Sequence, residues 1–94
     1  MQEKSTIAND FNQKGSEFLR IEVETGLTFA NIALDEEPGS EERIRNQANA
    51  LKAYQTVLRL RDRVENAGEE TNRRIQNGLD QLKSILERLG EKLN

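Results

Sequence analysis

The chain has no cysteine, no histidine and no tryptophan. Without cysteine there is no disulfide framework and no thiolate nucleophile. Without histidine as well, the commonest metal ligands and the commonest general base are missing. Proline occurs once, and aromatic residues make up only 4%. No apolar run approaches the roughly 18 residues of a membrane span. The segment from Met1 to Phe11 lacks the basic start and apolar stretch of a signal peptide. These absences point to a cytoplasmic protein that is not an enzyme, does not meet a membrane, and needs no cofactor, metal or small-molecule substrate.

Sites of other kinds are also missing. Ser5, Ser16, Ser40 and Ser84 have no histidine partner, and no Gly-x-Ser-x-Gly turn is present. The glycines are isolated, so no phosphate-cradling loop forms. Asp35-Glu36-Glu37-Pro38-Gly39 lacks the alternating ligands and closing glutamate of a calcium loop.

What remains is a chain of 94 residues, the size of one small domain. Leu, Ile, Val and Phe supply 23 of them, just above the roughly 20% below which disorder is the default. A domain this small buries about two-thirds of its unfolded surface, so a partner or a second copy would add burial that the monomer lacks. Net charge is −3 but uneven: residues 1–40 carry −5 and residues 41–94 carry +2. The acidity argues against a dedicated nucleic-acid binder.

Glu37-Pro38-Gly39-Ser40 is the strongest break in the chain. Ser40 is a good N-cap, followed by acids that suit a helix start. Asn66-Ala67-Gly68, followed by Glu69 and Glu70, is a weaker break, either a turn or a soft point in continuous helix. β-Type alternation is absent. The pattern predicts helices over 14–36, 40–66 and 69–93, with residues 1–13 as a frayed arm or a helical extension. The expected fold is all-α: a single domain over 14–94, built as an antiparallel three-helix bundle in which a helical hairpin carries a third amphipathic helix.

Steps of 100° per residue sort the side chains into faces. In the first helix Phe18, Leu19, Ile21, Val23, Phe29, Ala30, Ile32 and Ala33 span a wide sector, and the second helix is similar. Such width implies neighbours on two sides. In the third helix Ile75, Leu79, Leu82, Leu86, Leu89 and Leu93 form a narrow heptad seam, suited to one groove or to a dimer through residues 75–93. Arg45, Lys52, Arg59 and Arg63 fall on one line of the second helix. This line is either a basic rail for an acidic partner or an ordinary solvated face. Glu22 and Arg61 project into apolar sectors, and an antiparallel hairpin brings them to similar heights. They are expected to form a buried ion pair that fixes register, or else a polar spot in a groove. Gly26 sits inside a helical pattern and suggests close approach of a neighbouring helix.

Gly26-Leu27-Thr28-Phe29 on the first helix, with Ala50, Tyr54 and Val57 on the second, resembles a tetratricopeptide-type helical hairpin over residues 17–64. More residues separate Phe29 from Ala50 than in a standard repeat, and there is one unit rather than a stack. The likeness is therefore to hairpin geometry, as in three-helix relatives such as the microtubule-interacting and trafficking domain. It implies a non-catalytic adaptor that receives a helix or peptide in an interhelical groove. The residues expected at such a groove are Leu27 and Phe29, flanked by Arg45, Lys52, Arg59 and Arg63. The partner is another protein or the chain's own copy. The alternatives are self-assembly through the third seam and a nucleic-acid accessory role for the basic stripe.

Overall fold

The computed structural model describes the backbone of residues 2–64 and 68–93, and side chains from residue 14 onward within those limits. It is an all-α three-helix bundle. Helix α1 spans Gln2–Asp35, α2 spans Glu41–Leu60 and α3 spans Glu69–Arg88. At 1.5 Å per residue α1 is about 51 Å long, and it sets the long axis of a 56 × 20 × 17 Å molecule. The backbone of the expected N-terminal arm continues α1 from Gln2; its side chains lie outside the described residues.

The hairpin is closed by Glu37-Pro38-Gly39-Ser40. The Ser40 amide donates to the Glu37 carbonyl at 3.1 Å, and Gly39 takes a φ of 85°. Proline presets the first central position of such a turn, and glycine tolerates the left-handed second one. Ser40 then caps α2, its hydroxyl accepting from the Arg43 amide at 3.2 Å. Glu36 ties the helices together. Its carbonyl accepts from Arg43 Nη1 at 3.1 Å, and its Oε1 accepts from Asn46 Nδ2 at 2.6 Å. A carbonyl left over at the end of α1 is thereby satisfied from α2.

Two helix ends differ from expectation. α2 stops at Leu60, not at residue 66; Arg61–Arg63 tighten into a 3-10 turn and Val64 is extended. The segment 59–63 carries one apolar residue among four charged ones, so little holds it to the core as helix. Turning out of it lets Val64 pack against α1 at Gly15. Gly68, at a φ of 87°, starts α3. The chain therefore folds back instead of continuing as one long helix; residues 65–67 lie outside the described residues. α3 stops at Arg88, not at residue 93. Gly90, at a φ of 107°, ends it, with the Gly90 amide donating to the Glu87 carbonyl and the Glu91 amide to the Leu86 carbonyl. This is a Schellman cap, which needs the left-handed residue that glycine supplies.

The core combines a line of small residues and a few large ones on the hairpin with large residues contributed by α3. Leu19, Val23, Ala30 and Ala33 from α1 meet Ala50, Tyr54 and Val57 from α2, and Ile75, Leu79, Leu82, Leu86 and Leu89 fill the groove between them. At Gly26, α1 approaches α2 and α3 together. A methyl group there would lie 2.7 Å from Leu82 Cδ2 and 3.1 Å from the Ala53 Cβ. Gly78 similarly faces Val23.

Two predictions follow from this packing. Gly26→Ala is expected to lower stability by about 1–3 kcal/mol through overpacking, although alanine is the better helix former by about 1 kcal/mol. Leu82→Ala is expected to cost about 2–5 kcal/mol. Thermal and urea unfolding followed by circular dichroism would measure both, and a Gly26→Ala chain as stable as the parent contradicts the close approach.

Candidate functional site

The neighbours of α1 can be read from its contacts. Gly26 points at α2 through Ala53. Val23 meets Gly78 of α3, and Leu27 lines a cleft with Gln81 and Ile85 of α3. Continuing round α1 past α2, away from α3, the next sector carries Phe18, Ile21, Thr25, Phe29 and Ile32. Phe18, Ile21 and Ile32 are 46%, 50% and 42% exposed, which leaves about half of each large side chain in water. Phe29 is half-buried and packs partly on the core.

On α2 the flank toward α3 is marked by Gln47, which donates to Glu91 Oε2 at 3.4 Å. The opposite flank, beside the exposed strip of α1, carries Asn49 and Thr56. Beyond them, on the back of α2, lie Arg45, Lys52 and Arg59, all exposed. The strip and the rail therefore open on the same side of the hairpin. The far edge of the strip is acidic, with Glu17, Glu24 and Asp35 exposed there. One face thus runs from an acidic edge, across a half-exposed apolar strip, to a basic edge.

Several expectations change here. Leu27 and Phe29 do not share a groove. Two residues apart on a helix means about 200°, so Leu27 turns toward α3 and Phe29 toward the open face. Arg63 is exposed but sits in the 3-10 turn beyond α2, so helical spacing no longer places it on the line of Arg45, Lys52 and Arg59. The expected buried pair between Glu22 and Arg61 is not formed. Arg61 is exposed and its Nη1 donates to Gln76 Oε1 of α3 at 2.7 Å, while Glu22 is half-buried. The faces are the reason: Arg61 keeps helical backbone, its amide donating to the Val57 carbonyl, and at 100° per residue it falls on the α3 flank of α2 while Glu22 falls on the open side of α1. The ion pairs between described residues given by the structure are Arg20–Glu24 at 3.2 Å and Arg74–Glu70 at 3.0 Å, each within one exposed helix turn. The seam from Ile75 to Leu89 faces inward onto α1 and α2, so a dimer through it would require α3 to leave the bundle. Leu58 is exposed on the α3 flank of α2 and Ile44 on its back, opposite Ala53, and neither joins the strip.

Phe18, Ile21 and Ile32 are the site residues that the sequence reading did not single out. Their signal was the surplus width of the apolar sector on α1, which two neighbours do not use up. A cleft of about 370 Å³ also opens at the end of the bundle, between Leu19, Arg61, Val64 and Ile75. Among the described residues no group of three or more potential metal ligands is gathered, and no helix is long and apolar enough to cross a membrane. No protein-family model, curated protein or solved structure matches this chain.

Arg61→Ala is expected to change stability by no more than about 0.5 kcal/mol, as for an exposed polar contact. A buried pair broken on one side would cost about 3–5 kcal/mol. A urea titration separates the two.

Proposed function

We propose that the chain is a non-catalytic helical interaction module whose open α1–α2 face receives an acidic amphipathic helix. The observation that carries this reading is the half-exposed strip of Phe18, Ile21 and Ile32 lying beside Arg45, Lys52 and Arg59. A helix laid on that face would bury its apolar side on the strip and set its acids against the rail, the helix-in-groove mode of recognition. The tetratricopeptide-like resemblance belongs to this proposal. Of its motif positions, Gly26, Ala50, Tyr54 and Val57 are buried in the core, the role such positions have in a hairpin scaffold, while Phe29 is half-buried and turns to the open face. The lack of cysteine supports a cytoplasmic setting.

The test uses a synthetic three-heptad peptide with leucine on one face and glutamate flanking it, labelled with a fluorophore. It is expected to bind the chain, with affinity falling as salt rises. Ile21→Asp, and separately Lys52→Glu with Arg59→Glu, are expected to weaken binding by roughly tenfold or more without loss of helicity. A peptide that does not bind at chain concentrations where light scattering finds monomer, or that binds both variants as well as the parent, sinks the reading.

A further inference from the structure

We infer that the helix this face receives is α1 of a second copy, in a dimer whose two-fold axis runs along the helices. The inference rests on the reading above and names its occupant. α1 itself has the two properties the face requires. It presents a half-exposed strip with heptad steps through Phe18, Thr25 and Ile32, with Ile21 between. Its outer edge carries Glu17, Glu24 and Asp35, all exposed.

Charge selects the arrangement. Two identical faces of this kind can meet about a two-fold axis lying in the interface. If the axis crosses the helices, acidic edge meets acidic edge and rail meets rail, which is repulsive. If the axis runs along the helices, left and right exchange, and the acidic edge of each copy lies against the rail of the other.

Height then supplies an independent check. An axis along the helices leaves every residue at its own level, so the levels within one chain also hold between copies. Contacts of α1 with the second half of the hairpin fix those levels: Gly15 with Val64, Gly26 with Ala53, and Glu36 with Arg43. Interpolation puts Glu17 level with Asp62, between Arg59 and Arg63. Glu24 comes level with Gln55, between Lys52 and Arg59. Asp35 comes level with Ile44, beside Arg45. Each acid of the outer edge is thus within about one helical turn of a basic residue of the other copy. In this dimer the two α1 helices lie parallel, strip against strip, with each α2 flanking its partner's α1. α3 stays on the outer side of each hairpin, and its seam remains buried within its own chain.

The test is molar mass by sedimentation equilibrium over a concentration series, with helicity followed by circular dichroism. The parent is expected to form a dimer that weakens as salt rises. Ile21→Asp is expected to give monomer with unchanged helicity, since this side chain is half exposed and outside the core. Glu17→Lys with Glu24→Lys, and separately Lys52→Glu with Arg59→Glu, are each expected to weaken the dimer by roughly tenfold. The two charge-reversed chains are expected to pair with each other when mixed. Because the chain has no cysteine, single cysteines report the axis. Thr25→Cys and Ile32→Cys should both form self-disulfides under mild oxidation, because an axis along the helices pairs every level with itself. A parent that stays monomeric throughout the series overturns the dimer. If the Leu/Glu peptide still binds that monomer, the receiving face stands and only its occupant is wrong. A dimer untouched by Ile21→Asp overturns the inference too, as does crosslinking at only one of the two cysteine positions.

Discussion

The structure depends on how closely α1 approaches both of its neighbours at Gly26. There α2 presents Ala53 and α3 presents the end of Leu82, and a side chain on α1 would hold all three helices apart. Ala30 and Ala33 extend the same small-residue line toward the turn, and Ala50 answers it from α2. Backbones that approach this closely leave no room for large side chains between α1 and α2 at the level of Gly26, Ala30, Ala50 and Ala53. At that level the volume of the core is supplied by α3, whose leucines and Ile75 fill the groove, with Leu19, Val23, Tyr54 and Val57 of the hairpin completing it. Turn and cap chemistry supports the same approach from the ends. Glu36 fastens the start of α2 to the end of α1, and Val64 packs against Gly15 at the other end.

The open face is a consequence of that economy of volume. α1 turns Gly26, Ala30 and Ala33 to the core together with Leu19 and Val23, and its remaining large residues lie elsewhere on the helix. Leu27 finds partial cover against α3. Phe18, Ile21 and Ile32 find only partial cover and stay half in water. Isolated apolar residues at a surface are ordinary, but three on one helical line beside a charged rail form a patch of the sort that interfaces use. The charges around it are sorted, acids to one edge and bases to the other, so the face has a polarity as well as an apolar centre. That polarity separates two otherwise equivalent ways of pairing two copies.

Much of this was legible in residue order. The Pro38-Gly39-Ser40 break, the heptad seam of α3 and the lack of strand-like alternation define an all-α chain with a hairpin and a third helix. These are local signals, carried by backbone preferences and by 3.6-residue periodicity. The close approach at Gly26 was also legible, because glycine within a helix needs a packing reason. The ends of α2 and α3 were not. Apolar periodicity continues through Val64 and Leu93, and both residues do pack on the core. They reach it through non-helical backbone, which a helical wheel does not represent.

The site divides along the same line. Sequence by itself determined which residues share a helix face, because helical geometry is local: the basic line of Arg45, Lys52 and Arg59, the apolar surplus of α1, and the separation of acids from bases along the chain. Only the tertiary structure decided which faces look outward. It turned the α3 seam inward, put Leu27 and Phe29 on opposite sides of α1, and drew Arg61 to Gln76 in place of Glu22. The physical reason is that a helix with apolar residues over most of its circumference has several ways to bury them. The choice among these rests on volumes contributed by helices distant in sequence, here the fit of Leu82 against Gly26.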